Sequence, residues 1–270
     1  MKKLKTLITL CALCPGLLSS SEDIRNGWNG KSEYLEFSLS WLFVPGGTAV
    51  IQAEPSGKDM AIFKIQACTN PTLDMIHKVR DSITTVAEVN KENYKSHSYR
   101  FKQQEGQTKQ DLEIAFADDQ LQVTDNKQQE IRYYKVPENT LDMVTAFFKS
   151  RTLALQPGET YAIPVFDKNK DYKLEVEVVG KEKINTIFGK LTPTIIIKPK
   201  LQSDGIFDRK GDIKIWLTDD KERIPVRMES KVKIGSIRAE LSRLNENVKR
   251  SGRSQLLCES KMEGLIAKRN

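Results

Sequence analysis

Residues 112–123 read LEIAFADDQLQV, and this short stretch decides the fold class. Leu112, Ile114 and Phe116 alternate with Glu113, Ala115 and Ala117. An extended chain points successive side chains to opposite faces, so this period of two marks a half-buried strand. Asp118-Asp119 supplies a turn, and Leu121 and Val123 resume the alternation. The unit is an antiparallel hairpin with one apolar face.

The same rhythm extends in both directions. Towards the N-terminus, Leu35, Phe37, Leu39 and Trp41 alternate with Glu36, Ser38 and Ser40. Pro45-Gly46-Gly47 then turns the chain into Thr48–Ala53, and Ala61–Ala67 forms another strand. Ile83, Val86, Val89, Tyr94 and Tyr99 indicate two more. Towards the C-terminus, strands are predicted at 161–166, 173–179, 192–198, 212–217, 224–228 and 232–241, separated by Asp-, Gly- and Lys-rich turns. Closely spaced short strands predict a mainly β protein built of antiparallel curved sheets, of sandwich or half-barrel type. Two segments depart from the rhythm. Asn70-Pro71 starts a helix or turn, and residues 139–153 place Leu141, Val144, Phe147 and Phe148 at helical spacing after a cap at Asn139 or Thr140. One helix near 139–153 is expected to pack on a sheet within a β-rich domain spanning 33–241. The pattern leaves open whether the halves before and after the helix share one core.

The ends read differently. Residues 1–21 carry Lys2, Lys3 and Lys5, an apolar run from Leu7 to Leu13, then Pro15-Gly16 and three serines. That is the layout of a cleaved secretory signal peptide, so the expected location is periplasmic or secreted. The apolar run is too short to span a bilayer, and no later stretch approaches the length of a transmembrane helix. Cys11 and Cys14 each follow a leucine, which argues against a lipoprotein. Residues 22–32 read as a flexible lead-in, and 242–270 as a basic polar tail. Export permits a disulfide between Cys68 and Cys258, provided the tail folds back.

The formal net charge of +7 is concentrated at these ends: three positive charges lie in the leader and a net four in residues 249–270. The body is near neutral, so no nucleic-acid-binding stripe is indicated.

Candidate chemistry is sparse. Asp167–Asp171 imitates the start of a calcium loop, but Tyr172 and Val178 stand where Gly and Glu are required, so a hairpin turn is the reading. His77 and His97 are the only histidines, and no G-x-S-x-G elbow occurs. No catalytic residue, metal site or cofactor is therefore expected. Asp219 and Asp220, with Asp212 as helper, are the carboxylates a carbohydrate-active enzyme would need, if they converge on a sugar. Trp41, Phe43, Phe207 and Trp216 are the aromatics that would line an apolar cavity in a curved sheet. These four and the two aspartates form the expected ligand-binding set.

The run Phe37–Trp41 with Val44-Pro45-Gly46-Gly47-Thr48-Ala49 resembles the start of the exported bacterial family called domain of unknown function 3108. So do Gly211–Asp220, Arg223-Ile224-Pro225-Val226 and Lys231–Ser236, with Lys78-Val79-Arg80-Asp81 and the helix ending at Arg151 as middle landmarks. The resemblance covers residues 33–241. It implies a strand-rich envelope protein of Gram-negative bacteria and no catalytic residues. The leading expectation is a non-enzymatic protein binding a lipid or other amphipathic envelope component. The alternatives are a glycan-active enzyme using Asp219 and Asp220, or a module that binds an envelope protein partner through strand edges.

Overall fold

The computed structural model describes residues 27–90, 93–200, 213–232 and 235–245. The expected signal peptide, Phe207, Asp212, Cys258 and the tail beyond residue 245 lie outside the described residues.

Among the described residues, fourteen strands form a single antiparallel sheet that is not closed into a barrel. The first eight run as a meander: β1 (Glu33–Trp41), β2 (Val44–Pro55), β3 (Met60–Thr69), β4 (Arg80–Val89), β5 (Tyr94–Glu105), β6 (Thr108–Ala117), β7 (Gln120–Asp125) and β8 (Glu130–Lys135). A one-turn helix α1 (Pro71–Asp74) joins β3 to β4. After α2 (Met143–Ser150), a second meander follows: β9 (Thr160–Asp167), β10 (Lys170–Thr186), β11 (Gly189–Lys200), β12 (Ile213–Thr218), β13 (Pro225–Lys231) and β14 (Ser236–Asn245). β14 pairs with β1, which welds the two meanders into the order β8 through β1, then β14 through β9.

The hairpin read from residues 112–123 is β6–β7, with Leu112, Ile114, Leu121 and Val123 buried on one face. Cross-strand partners keep the same parity across the sheet. Leu35, Phe37, Ile51, Ala53, Ala61 and Phe63 continue that face on β1–β3, and Ile163, Val165, Ile195, Ile197, Ile215 and Leu217 continue it beyond α2. These residues form one contiguous apolar core. β8 and the extension of β10–β11 to a tip at Ile187-Phe188 are strands the periodicity missed.

The two sheet edges approach each other without pairing. Tyr134 of β8 and Phe166 of β9 meet with ring centroids 5.0 Å apart. Between them, Leu141 makes a parallel bridge to Val165: its amide donates to the Pro164 carbonyl and its carbonyl accepts from Phe166, both at 2.9 Å.

Helix α2 packs on β4, β5 and β9 and is buried on most of its circumference. Its N-cap is Asp142, not Asn139 or Thr140 as the sequence suggested. Asp142 Oδ1 accepts from the amides of Val144 and Thr145, each at 2.9 Å, while Oδ2 accepts from Thr85, Ser96 and Thr145 hydroxyls. A buried carboxylate needs this many donors to offset its lost hydration, and β4 and β5 provide two of them. At the other end, fully buried Arg151 forms a bidentate pair with Glu33 at 2.8 and 2.9 Å and donates to the Glu222 carbonyl.

Residues 27–31 correct the expectation of a flexible lead-in. Trp28 is buried, edge-on to Phe63 at 5.3 Å and to Phe148 at 6.4 Å, and its indole N–H donates to the Lys31 carbonyl at 2.6 Å. Phe63 and Phe148 stack at 3.9 Å. The Gly27 amide donates to the Lys221 carbonyl at 2.6 Å. Ser242–Asn245, read as the start of the tail, belongs to β14.

Candidate functional site

The antiparallel meander sends alternate connections to opposite ends of the sheet. One end carries the β1–β2, β3–β4, β5–β6, β7–β8, β9–β10 and β13–β14 connections. On this β1–β2 end, two adjacent connections, braced by the β13–β14 turn, build an apolar rim.

The first is Leu42-Phe43, continuing into Val44. Leu42 has a φ of +56°, and its amide donates to the Ser236 carbonyl at 2.9 Å, which ties the turn to β14. A Cβ on Gly235 would overlap the Leu42 side chain, so the β13–β14 turn needs glycine for this approach. Phe43 is 93% exposed and Val44 is 50% exposed. The second connection is α1. Asn70 caps it by accepting from the Leu73 amide at 2.9 Å, and Pro71 fits the first turn because its missing N–H is not needed there. The Asn70 side chain also donates to the Pro45 carbonyl at 2.7 Å, and its amide donates to the Gly46 carbonyl at 2.9 Å. Leu73 Cδ1 packs where a Gly46 Cβ would stand. These contacts lock the two connections together.

Beyond α1, the chain is pinned by Asp74. Its carboxylate takes two hydrogen bonds from Arg80, at 3.0 and 2.6 Å, and one from the Thr69 hydroxyl. Burial alone raises the Asp74 carboxyl, but the Arg80 and Thr69 hydrogen bonds outweigh it and hold it below the ordinary value. On this braced loop Met75 is 83% and Ile76 71% exposed. Exposed Lys78 follows on the same connection, and exposed Lys231 stands on the β13–β14 side. Large apolar side chains gathered on rigid, adjacent turns have a different meaning from scattered surface residues.

The residues read from the sequence do not form one site. Trp41 is half-buried at the end of β1, beside the rim, and Phe43 is its most exposed member. Trp216 lies three strands away on β12, on the opposite side of that strand from Ile215 and Leu217. Its indole N–H donates to Glu182, and the Arg227 guanidinium covers its ring at 5.8 Å. The centre of the curled sheet is packed by Phe63, Phe148 and Trp28 rather than lined by Trp41 and Trp216.

Asp219 and Asp220 sit at the other end, in the β12–β13 turn. Asp219 pairs with Lys181 at 2.7 Å and Arg223 at 3.1 Å. Burial raises its carboxyl, but the Lys181 and Arg223 contacts outweigh that and hold it below the ordinary value. Asp220 accepts from the Thr218 hydroxyl at 2.7 Å and from the amides of Glu222 and Arg223 at 3.1 Å. Both are committed to closing the turn, and Asp219, held below its ordinary value, is the opposite of the proton-holding carboxyl that general acid catalysis requires. Among the described residues no group of three or more His, Cys, Asp or Glu is placed to hold a metal. No helix among them is long and apolar enough to cross a membrane.

Sequence reasoning missed Met75, Ile76 and Leu42. The signal was present in Leu73, Met75 and Ile76, a run of large apolar residues next to a one-turn helix too short to bury them.

Fold and rim together define a class: a single curled antiparallel sheet around one buried helix, with an apolar rim on its turns. Residues 36–242 match the model of DUF3108, a protein of unknown function, and the chain belongs to that family. No curated protein sequence matches it. Among solved structures it is similar to a beta-barrel-like protein of domain of unknown function DUF1849 from Brucella abortus. The two share 12% identity at a TM-score of 0.55, over 82% of this chain and 99% of that one. At that identity the likeness concerns the fold alone.

Proposed function

We propose that this is an exported, non-enzymatic envelope protein that binds an amphipathic envelope component by docking its β1–β2 end on an anionic lipid surface. The observation that carries the reading is the exposure of Phe43, Met75 and Ile76 on adjacent turns that hydrogen bonds hold rigid. Apolar side chains preorganised in this way lose little conformational freedom on insertion. Lys78 and Lys231 on the flanks complement anionic headgroups. The strand edges favour a protein partner less: β8 carries Glu130, Arg132 and Lys135, charges that discourage strand addition, and Leu141 occupies part of β9.

The test is flotation of the mature protein with vesicles of phosphatidylglycerol and phosphatidylcholine. The expected result is binding that weakens with salt, and that falls about tenfold in Phe43→Ser and again in Met75→Ser. Both side chains are exposed, so neither variant should change the melting temperature by more than about a degree or two. Equal flotation of the wild type and the double variant would overturn the reading.

A further inference from the structure

The end of the sheet opposite the apolar rim carries a feature of its own. β9 and β10 are joined on the β1–β2 end, so the β10–β11 hairpin turns on the other. β9 pairs with β10 as far as Glu177, and β12 pairs with β11 from Thr194 onwards. Residues 183–193 therefore run past both neighbours as a two-stranded ribbon. At about 3.3 Å per residue, its tip stands roughly 15 Å beyond the body.

The tip lacks ordinary turn chemistry. Thr186 pairs with Gly189, which leaves Ile187 and Phe188 as the central residues of the turn. Such turns favour Asn, Asp or Gly at these positions. Ile187 is 45%, Phe188 46% and Leu191 64% exposed, and none of the three packs against the core. Leu191 has a φ of +56°, a conformation that Gly or Asn adopts more cheaply. Large apolar side chains thus gather at the end of a projecting ribbon, where folding gains little from them.

The ribbon is braced. At its base the Trp216 indole N–H donates to the Glu182 carboxylate, and Lys181 pairs with Asp219 at 2.7 Å. The Asp219 amide donates to the Pro193 carbonyl at 3.0 Å, and the Thr194 hydroxyl to the Glu182 carbonyl at 2.8 Å. Nearer the tip, the Thr186 and Thr192 hydroxyls bond at 2.8 Å, and the Phe188 amide donates to the Thr186 hydroxyl oxygen at 3.0 Å. A tip held this way loses little freedom on docking.

Charge selects the surface it fits. Lys183 and Lys190 are exposed, and neither pairs with a carboxylate among the described residues. No Asp or Glu occurs from Lys183 to Lys200, and Glu182 and Asp219 at the base are already engaged. The tip is convex, so it encloses no small ligand. Apolar side chains flanked by unopposed ammonium groups complement an anionic lipid surface: the former enter the headgroup boundary and the latter meet the phosphates.

We infer that the β10–β11 tip is a second lipid-inserting element, through which one molecule bridges two anionic lipid surfaces. The bridging rests on the lipid-docking reading of the rim; the insertion of the tip does not. Its side chains are less exposed than Phe43, Met75 and Ile76, so the tip is the weaker contact.

The experiment mixes the mature protein with two populations of phosphatidylglycerol and phosphatidylcholine vesicles, one with a donor dye and one with an acceptor. Energy transfer between them reads tethering, and flotation is run alongside. The wild type should tether vesicles, and salt should release them. Phe188→Ser with Leu191→Asn should lower tethering about tenfold, while flotation, held by the rim, falls by no more than about threefold. Phe43→Ser with Met75→Ser should also lose tethering, and adding the tip substitutions should remove about nine-tenths of its residual flotation. Asn accepts a positive φ and both tip residues are exposed, so the tip variant should melt within about two degrees of wild type. If it does not, Lys183→Glu with Lys190→Glu, which leaves the turn untouched, carries the test. Wild type that floats without tethering overturns the inference and leaves the rim reading standing. So does tethering that persists in the tip variants, the result expected if protein self-association joined the vesicles. If the rim reading fails, wild type and the rim variant float alike. Loss of flotation in the tip variant then still supports insertion of the tip, and unchanged flotation overturns it.

Discussion

Asp81 of β4 is the residue where the fold most strongly perturbs a carboxyl group. Burial and the neighbouring Glu105 charge push it up to about 7, against a hydrogen bond from the Gln104 amide at 3.1 Å. The pair sits on the β1–β2 end, where the Val79–Glu105 bridge draws β5 back towards the α1 connection. A carboxyl whose folded value lies above its unfolded value binds its proton more tightly when folded. Its contribution to stability is therefore complete below about pH 4 and is lost as the pH rises through about 7. Asp81→Asn should remove that loss, making the variant the more stable protein at pH 8 by on the order of 1–2 kcal/mol, once the partial exposure of Asp81 is allowed for. At pH 4 the two should be nearly equal. Urea denaturation at the two pH values measures this; equal stabilities at pH 8 would remove Asp81 from the account.

Helix α2 shows what an element owes to its neighbours. It has eight residues, shorter than an isolated helix needs to be stable in water. Asp142 compensates by joining the helix start to β4 and β5 through the Thr85 and Ser96 hydroxyls. Asp142→Ala leaves several buried donors unpaired and should destabilise the protein by about 3 kcal/mol or more. Asp142→Asn, which keeps one acceptor, should cost less. Thermal and urea melts of the two variants rank these outcomes, and an alanine variant as stable as wild type would mean that the network is dispensable. The helix itself was legible from Val144, Phe147 and Phe148, whereas its cap was not, and Leu141, read with them, lies ahead of the cap in the bridge to Val165. Asn139, Thr140 and Asp142 are all good capping types, and the choice fell to the one whose carboxylate meets hydroxyls from strands more than forty residues away.

At the scale of the whole molecule, the pairing of β14 with β1 makes one body of two meanders. The apolar core runs unbroken from Trp28 and Phe63 to Ile195 and Leu217. Unfolding should therefore be a single cooperative transition. Single-tryptophan variants test this: Trp28 reports beside the helix, and Trp216 reports in the second meander. Coincident urea midpoints are expected, and two separated midpoints would mean two folding units.

Alternation at 33–41 and 112–123 determined the strand-rich class, and it did so because the period of two is a local property of an extended chain. The turn at Asp118-Asp119 was local in the same sense, whereas Pro45-Gly46-Gly47, read as a turn, lies within β2, and the chain turns at Leu42-Phe43 instead. Strand β8 and the outer part of β10–β11 escaped this reading because they are exposed, and their polar residues show no buried face. The grouping of functional candidates was not local at all. Trp41 and Trp216 looked equivalent in sequence, yet pairing register puts one beside the rim and the other under Arg227. Asp219 and Asp220 looked like a chemical pair until Lys181, from a strand nearly forty residues earlier, claimed one of them. The rim likewise assembles from connections far apart in the chain. Periodicity along a strand reports which face is buried, but only strand order and register decide which side chains meet.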